Sequence, residues 1–216
     1  MSKRKGKQRR DLARRKRLRA PYAKVLIVCE GGKTEPNYFL ELRYYHEIES
    51  ANIEITGESG SSPCSVVKYA KQLYNEEKNL GDPFDRVYCV FDKDEHSDYN
   101  TALDIIRRSL PKNTFFSITS VPCFEYWLLL HFEFSTKPYN RLPNNSAANQ
   151  VLCDLKKHLP HYEKKSKGIY TQLFKQLEYA KSNATKANTQ AANSNTDNPS
   201  TYIHDLVQYL QGIKNS

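Results

Sequence analysis

Two five-residue apolar runs organise the first half of the chain: Val25-Leu26-Ile27-Val28-Cys29 and Val87-Tyr88-Cys89-Val90-Phe91. Both are β-branched or aromatic and both end in polar residues, which is how a strand buried on both faces of a parallel sheet reads. Between them the period changes from 2 to 3.6. Thr34-Glu35-Pro36 opens a helix, with Thr34 as candidate cap and Pro36 in the first turn, and Tyr38, Phe39, Leu42 and Tyr45 share one face. Residues 52–56 alternate as a short strand around Ile53 and Ile55, and Gly57–Ser62 is a loop. Pro63 starts a second helix with Val66, Val67, Ala70, Leu73 and Tyr74 on one stripe, stopped by Gly81-Asp82-Pro83. After the strand 86–91, the pattern predicts a third helix over 99–110 and a fourth strand over 114–121. The order β-α-β-α-β-α-β predicts an α/β fold with a mostly parallel four-stranded sheet and right-handed crossovers.

Beyond Pro122 the pattern is helical. Phe124, Trp127, Leu128, Leu130 and His131 fall on a helix apolar over most of its girth, hence buried. Residues 135–147 read as an irregular loop, and helices are predicted at 146–158, 166–182 and 200–212. The Asn-, Thr-, Ser- and Ala-rich run 183–198 reads as a frayed helix end plus linker, with Pro199 and Ser200 marking the start of the last helix. The expected division is an arm over 1–21, an α/β core over 22–121, and a helical extension over 122–216 that completes the same domain.

Charge singles out the arm. The chain has 216 residues and a net charge of +9, but residues 1–19 hold eleven Lys and Arg against one acid, Asp11, and the remainder is close to neutral. The arm lacks apolar residues enough to fold alone, and its composition predicts disorder with nucleic-acid contact through residues such as Arg9, Arg10, Arg14, Arg15, Lys16 and Arg17. No apolar stretch approaches the roughly 20 residues of a membrane span, and the basic N-terminus is not followed by the apolar segment of a signal peptide. The five cysteines show no C-x-x-C spacing and read as free thiols of a cytoplasmic protein.

The candidate chemistry lies where the two apolar runs end. The first is followed by Glu30-Gly31-Gly32-Lys33 and the second by Asp92-Lys93-Asp94. In open α/β sheets the ligand site lies beyond the carboxyl ends of the strands, and carboxylates there make a hard-oxygen set suited to Mg²⁺ or Mn²⁺. Acids two apart in an extended chain point to the same side, so Asp92 and Asp94 are expected to act together, with Lys93 directed away. The glycines let the backbone turn and a phosphate approach, and Lys33 is placed to meet that phosphate. Each acid also has a plain reading: Glu30 as a strand-end turn acid, Asp92 and Asp94 as a solvated loop. Glu125 stands in an apolar stretch and needs a partner or a metal; a second metal site and a salt-bridged helix acid both remain open. His131 reads as a satisfied core histidine, Glu35 as a first-turn acid favourable to the helix dipole with a metal role as the lesser alternative, and Lys164, Lys165 and Lys167 as solvated or as tracking a nucleic-acid backbone.

A strand ending in Glu-Gly with a later strand ending in Asp-x-Asp resembles the Toprim domain of topoisomerases, primases and several nucleases. The fuller string Leu26-Ile27-Val28-Cys29-Glu30-Gly31-Gly32-Lys33-Thr34-Glu35-Pro36-Asn37-Tyr38-Phe39 resembles the opening of the RloB-like family, a Toprim branch of bacterial defence loci. Pro122-Cys123-Phe124-Glu125-Tyr126-Trp127-Leu128-Leu129-Leu130-His131-Phe132 is similar to that family's most distinctive block, and Asn198-Pro199-Ser200-Thr201 also fits. The chain departs from the pattern at Gly32, where glutamate is expected. The resemblance implies a Toprim-like fold and divalent-metal nuclease chemistry in an abortive-infection role. In it Glu30 is general acid/base and metal ligand, and Asp92 and Asp94 hold the ion. It also implies a separately encoded ATPase partner. The expectation is a Mg²⁺- or Mn²⁺-dependent nuclease acting on DNA or RNA phosphodiesters. The alternative is a non-catalytic nucleic-acid-binding subunit of an ATPase complex. A topoisomerase or primase fragment is disfavoured because no strand-passage or priming module is visible.

Overall fold

A computed structural model of the chain describes residues 21–50 and 52–215. The basic arm, including Arg9, Arg10, Arg14, Arg15, Lys16 and Arg17, lies outside the described residues. The elements in order are β1 (Val25–Cys29), α1 (Thr34–Tyr45), β2 (Ile53–Thr56), α2 (Pro63–Asn79), β3 (Arg86–Asp92), α3 (Tyr99–Arg108) and β4 (Phe115–Val121). They continue with α4 (Glu125–Leu129), α5 (Ala147–His158), α6 (Ile169–Leu173), a 3-10 turn (Phe174–Gln176), α7 (Leu177–Asn193), β5 (Ser200–Thr201) and α8 (Ile203–Gly212).

The sheet order is β2-β1-β3-β4-β5. The first four strands are mutually parallel and β5 is antiparallel to β4. Alternation along the strands divides the apolar core between two helical layers. Val25, Ile27 and Cys29 of β1 and Tyr88 and Val90 of β3 face α1 and the helices from α4 onward. Leu26, Val28, Val87, Cys89 and Phe91 face α2 and α3. Thus β1 and β3 are covered on both faces, as their unbroken apolar runs require.

The sheet has five strands, not four. The extra strand, β5, is two residues long, too short for any period to show, and lies where the last helix was expected to begin. Its place is fixed from α7: Asn188 Nδ2 donates to Thr201 O at 2.8 Å and Thr201 N–H donates to Asn188 Oδ1 at 3.0 Å. Of the run read as frayed end and linker, residues 194–198 are the link to β5 and residues 183–193 are the second half of a continuous helix. Ala180, Ala184, Ala187 and Ala191 form its buried stripe, and small side chains let α7 lie close to the core.

The expected helix over 166–182 is broken by the 3-10 turn before α7, and the apolar helix after Pro122 is only α4, all five residues of which are buried. Thr34 does not cap α1. Lys33 occupies the cap position without a side-chain hydrogen bond, and Thr34 Oγ1 donates instead to the backbone carbonyl of Lys164. Side-chain caps appear on α2, where Ser62 and Ser65 bond each other's backbone N–H reciprocally, and on α5, where Ser146 Oγ accepts the N–H of Asn149 at 3.1 Å.

Candidate active site

Glu30 stands one residue past β1, and its N–H still donates to Val90 O of β3 at 2.9 Å. The chain then turns at Gly31, with φ +80, in the region where a side chain is strained. The loop after β2 closes over this turn. A Cβ on Gly57 would lie 2.1 Å from Gly31 O and 2.7 Å from Gly32 Cα, so only glycine permits the approach. Ser59 Oγ braces the same corner by donating to Cys29 O at 2.8 Å. Gly32 is different: its φ is ordinary and its Cβ position lies 3.8 Å from Gly57 O, so the turn leaves room for the glutamate expected there.

Both oxygens of Glu30 are engaged. Oε2 accepts the backbone N–H of Asp92 at 3.2 Å, and Oε1 lies 2.9 Å from His96 Nε2. The carboxylate at the end of β1 is thereby fixed against the end of β3. Asp92 is the last residue of β3, and its own carboxylate accepts the N–H of Phe124. Glu125 follows as the first residue of α4, only 2 % exposed, and takes hydrogen bonds from the Tyr162 hydroxyl at 3.2 Å and from the Cys123 thiol. Trp127 Nε1 donates to Tyr38 OH at 2.9 Å, which ties α4 to α1 and brings Glu125 near Glu35 in the first turn of α1.

The result is four carboxylates, Glu30, Glu35, Asp92 and Glu125, within one another's field. Burial, then repulsion from Glu35 and Glu125, holds the Asp92 carboxyl well above its usual range. Burial raises Glu35 to about 8, with Glu125 and Glu30 adding to the shift and Lys164 opposing it. Glu30 is also raised, by burial above all, while the Asp92 N–H and His96 pull it down. Lys164 answers from the loop before α6: its ammonium is held above the usual lysine range, chiefly by Glu125.

The structure therefore brings Glu30, Asp92 and Glu125 together, adds Glu35 and Lys164, for which the sequence favoured a plainer reading, and adds Tyr162 and His96, which sequence reasoning did not place in the site. Asp94 lies past the strand end, and its charge adds to the upward shift of Glu30. The strand ends at Asp92, and Asp94 sits at φ +30 with its N–H on Pro122 O at 3.0 Å and its side chain exposed. Lys93 points away, as expected, into an ion pair with Asp197 at 2.6 Å. Lys33 is exposed at the turn. His131 is 1 % exposed; Nδ1 bonds Trp127 O at 3.0 Å, but Nε2 has no partner among the described residues, and burial lowers the imidazole to about 4. It is a neutral core histidine with one satisfied nitrogen rather than two.

Among the described residues, no three His, Cys, Asp or Glu side chains are placed to hold a metal ion as they stand. The chemistry of the donor set nonetheless fits a hard divalent cation. It is all oxygen, and Asp92 and Glu35, raised by burial first and then by the neighbouring acids, are groups whose charged form such an ion would favour.

No helix among the described residues is long and apolar enough to cross a membrane. No curated protein and no solved structure matched the chain. The model of one family, described as RloB-like protein, matches residues 25–210, a span that runs from β1 to α8 and includes every acid of the cluster. The chain belongs to the RloB-like family.

Proposed function

We propose that the protein is a divalent-metal-dependent nuclease of Toprim type that cleaves nucleic-acid phosphodiesters in anti-phage defence, working with a separately encoded ATPase. The observation that carries this reading is the convergence of Glu30, Glu35, Asp92 and Glu125 beyond the carboxyl ends of β1, β3 and β4, where burial and repulsion lift Asp92 and Glu35. Asp92, Glu35 and Glu125 would hold the ion, with Glu30 beside them. When bound, the ion supplies Lewis-acid polarisation of the phosphate and a water of lowered pKa.

The residues themselves do the rest. The Asp92 N–H and His96 hold Glu30 in one orientation, and burial raises its carboxyl above the ordinary value, which favours proton uptake by a base. Lys164 presents a positive charge beside Glu125 to an incoming phosphate oxygen. The Gly31-Gly32 turn leaves the backbone bare for close approach, and Lys33 and the basic arm track the nucleic-acid backbone.

The test is cleavage of labelled tRNA and of single- and double-stranded DNA with Mg²⁺ or Mn²⁺, by wild type and Glu30→Gln, with and without the ATPase. Metal-dependent cleavage that falls by about a thousandfold in Glu30→Gln is the expected result. No cleavage in any combination, together with salt-sensitive binding that disappears when residues 1–19 are removed, would assign the chain to a non-catalytic binding subunit.

A further inference from the structure

We propose that the open edge of β4 is a docking site that takes an extended, acid-bearing peptide segment of a partner protein as an added strand. It lies toward the amino ends of the strands, away from the carboxylate cluster.

The edge exists because β5 is short. It pairs only with Ser120 and Val121, and the last bond between the two segments is Tyr202 N–H to Thr119 O at 2.9 Å. The direction of the remaining backbone groups follows from the parallel ladder. Thr114 O accepts Val87 N–H at 2.7 Å and Ser120 O accepts Lys93 N–H at 2.9 Å, so even-numbered residues of β4 face β3. Phe115 and Ser117 then direct their N–H and C=O to the open side, where no described residue bonds them. Unpaired strand edges are templates for another chain.

This edge is the floor of a groove of about 480 Å³. One wall is α3, through Leu103, Ile106 and Arg107, and the other is α8, through Asp205 and Tyr209. An edge recessed between two helices cannot meet the same recessed edge of a second copy, but it admits a single extended strand. In strand addition the main chain supplies affinity, and alternating side chains, reaching the two walls in turn, supply specificity.

The chemistry of the occupant follows from Arg86. Its guanidinium lies between the rings of Phe116 and Tyr209, 5.3 and 4.4 Å from their centroids, and bonds Tyr88 OH at 3.3 Å. Among the described residues no carboxylate pairs with it. Asp205, the acid of the groove, is turned to His204 at 3.4 Å. On the opposite wall Arg107 is three-quarters exposed and paired with Asp104 at 2.8 Å. A cation held rigidly between two rings favours a carboxylate placed beside it.

The probe is a short peptide of alternating valine and glutamate, added to the full chain. Saturable binding is expected, with slowed amide exchange at Phe115 and Ser117. Arg86→Gln is expected to weaken it at least about tenfold, as is exchanging glutamate for lysine in the peptide. Ser117→Pro is expected to abolish binding. Its N–H makes no bond to β3, so the loss of that donor leaves the ladder intact, and Arg86→Gln carries the test if the proline variant fails to fold. No saturation up to about 1 mM peptide, or binding without protection of Phe115 and Ser117, would overturn the proposal. So would self-association of the chain that the same two variants abolish, because the edge would then serve a second copy.

Discussion

Glu35→Gln should stabilise the protein at alkaline pH and leave it unchanged in acid. The Glu35 carboxyl stands at about 8 in the folded chain against an ordinary value of 4.5, through burial first and then the fields of Glu125 and Glu30. Between those values the folded chain retains a proton that the unfolded chain has released, so stability falls as the pH rises. The contribution is fully present below about 4.5, declines across the interval, and is gone above about 8. A displacement of that size corresponds to about 5 kcal/mol. This is a ceiling, because Asp92 and Glu30 relax as their neighbour ionises. At 2–4 °C per kcal/mol for a chain of this length, the variant should melt roughly 5–15 °C above wild type at pH 9. At pH 4 the two curves should nearly coincide. The assay is thermal unfolding of both proteins across this range with a chelator present. Adding Mg²⁺ at pH 9 should narrow the gap by stabilising wild type more. A difference that is constant with pH, or that grows toward acid, would refute the electrostatic account of the cluster.

Asn188→Ala removes both hydrogen bonds that α7 makes to Thr201; it should cost about 2–3 kcal/mol in urea unfolding and speed amide exchange in β5 before the rest of the sheet. Gly57→Ala would place a Cβ 2.1 Å from Gly31 O, so it should destabilise by more than about 2 kcal/mol and displace the turn that carries Glu30. Gly32→Glu, by contrast, meets nothing closer than 3.8 Å at its Cβ and should leave unfolding free energy within about 0.5 kcal/mol of wild type.

Those contrasts mark where sequence reasoning reached and where it stopped. Both central strands were legible because burial on two faces writes a continuous apolar run, and Glu30 and Asp92 were legible because a carboxylate ending such a run sits where parallel sheets bind ligands. Asp94 departs from the two-residue rule, which holds only while the chain stays extended, because the strand ends at Asp92; its field nonetheless reaches Glu30. Glu35 read as a helix-dipole acid. Two groups whose charges act on it, Glu125 and Lys164, come ninety or more residues later in the chain, and no local pattern encodes that approach. In α7 the polar residues of 183–198 concealed an alanine stripe, since small residues carry little hydropathy yet pack closely. At β5 two residues hold no period at all; the strand is set by one asparagine on a neighbouring helix.

The dispersion of the cluster along the chain also orders its appearance during synthesis. Glu30, Glu35 and Asp92 leave the ribosome first, then Glu125, then Lys164, and the antiparallel cap of the sheet follows only near residue 200. A chain interrupted at residue 121 carries three of the four acids but neither the α4 helix that seats Glu125 nor the lysine that faces it. The carboxylate site is thus completed late in translation, and nonsense mutations through most of the second half should yield fragments with the acids of the two central strands but without the finished site.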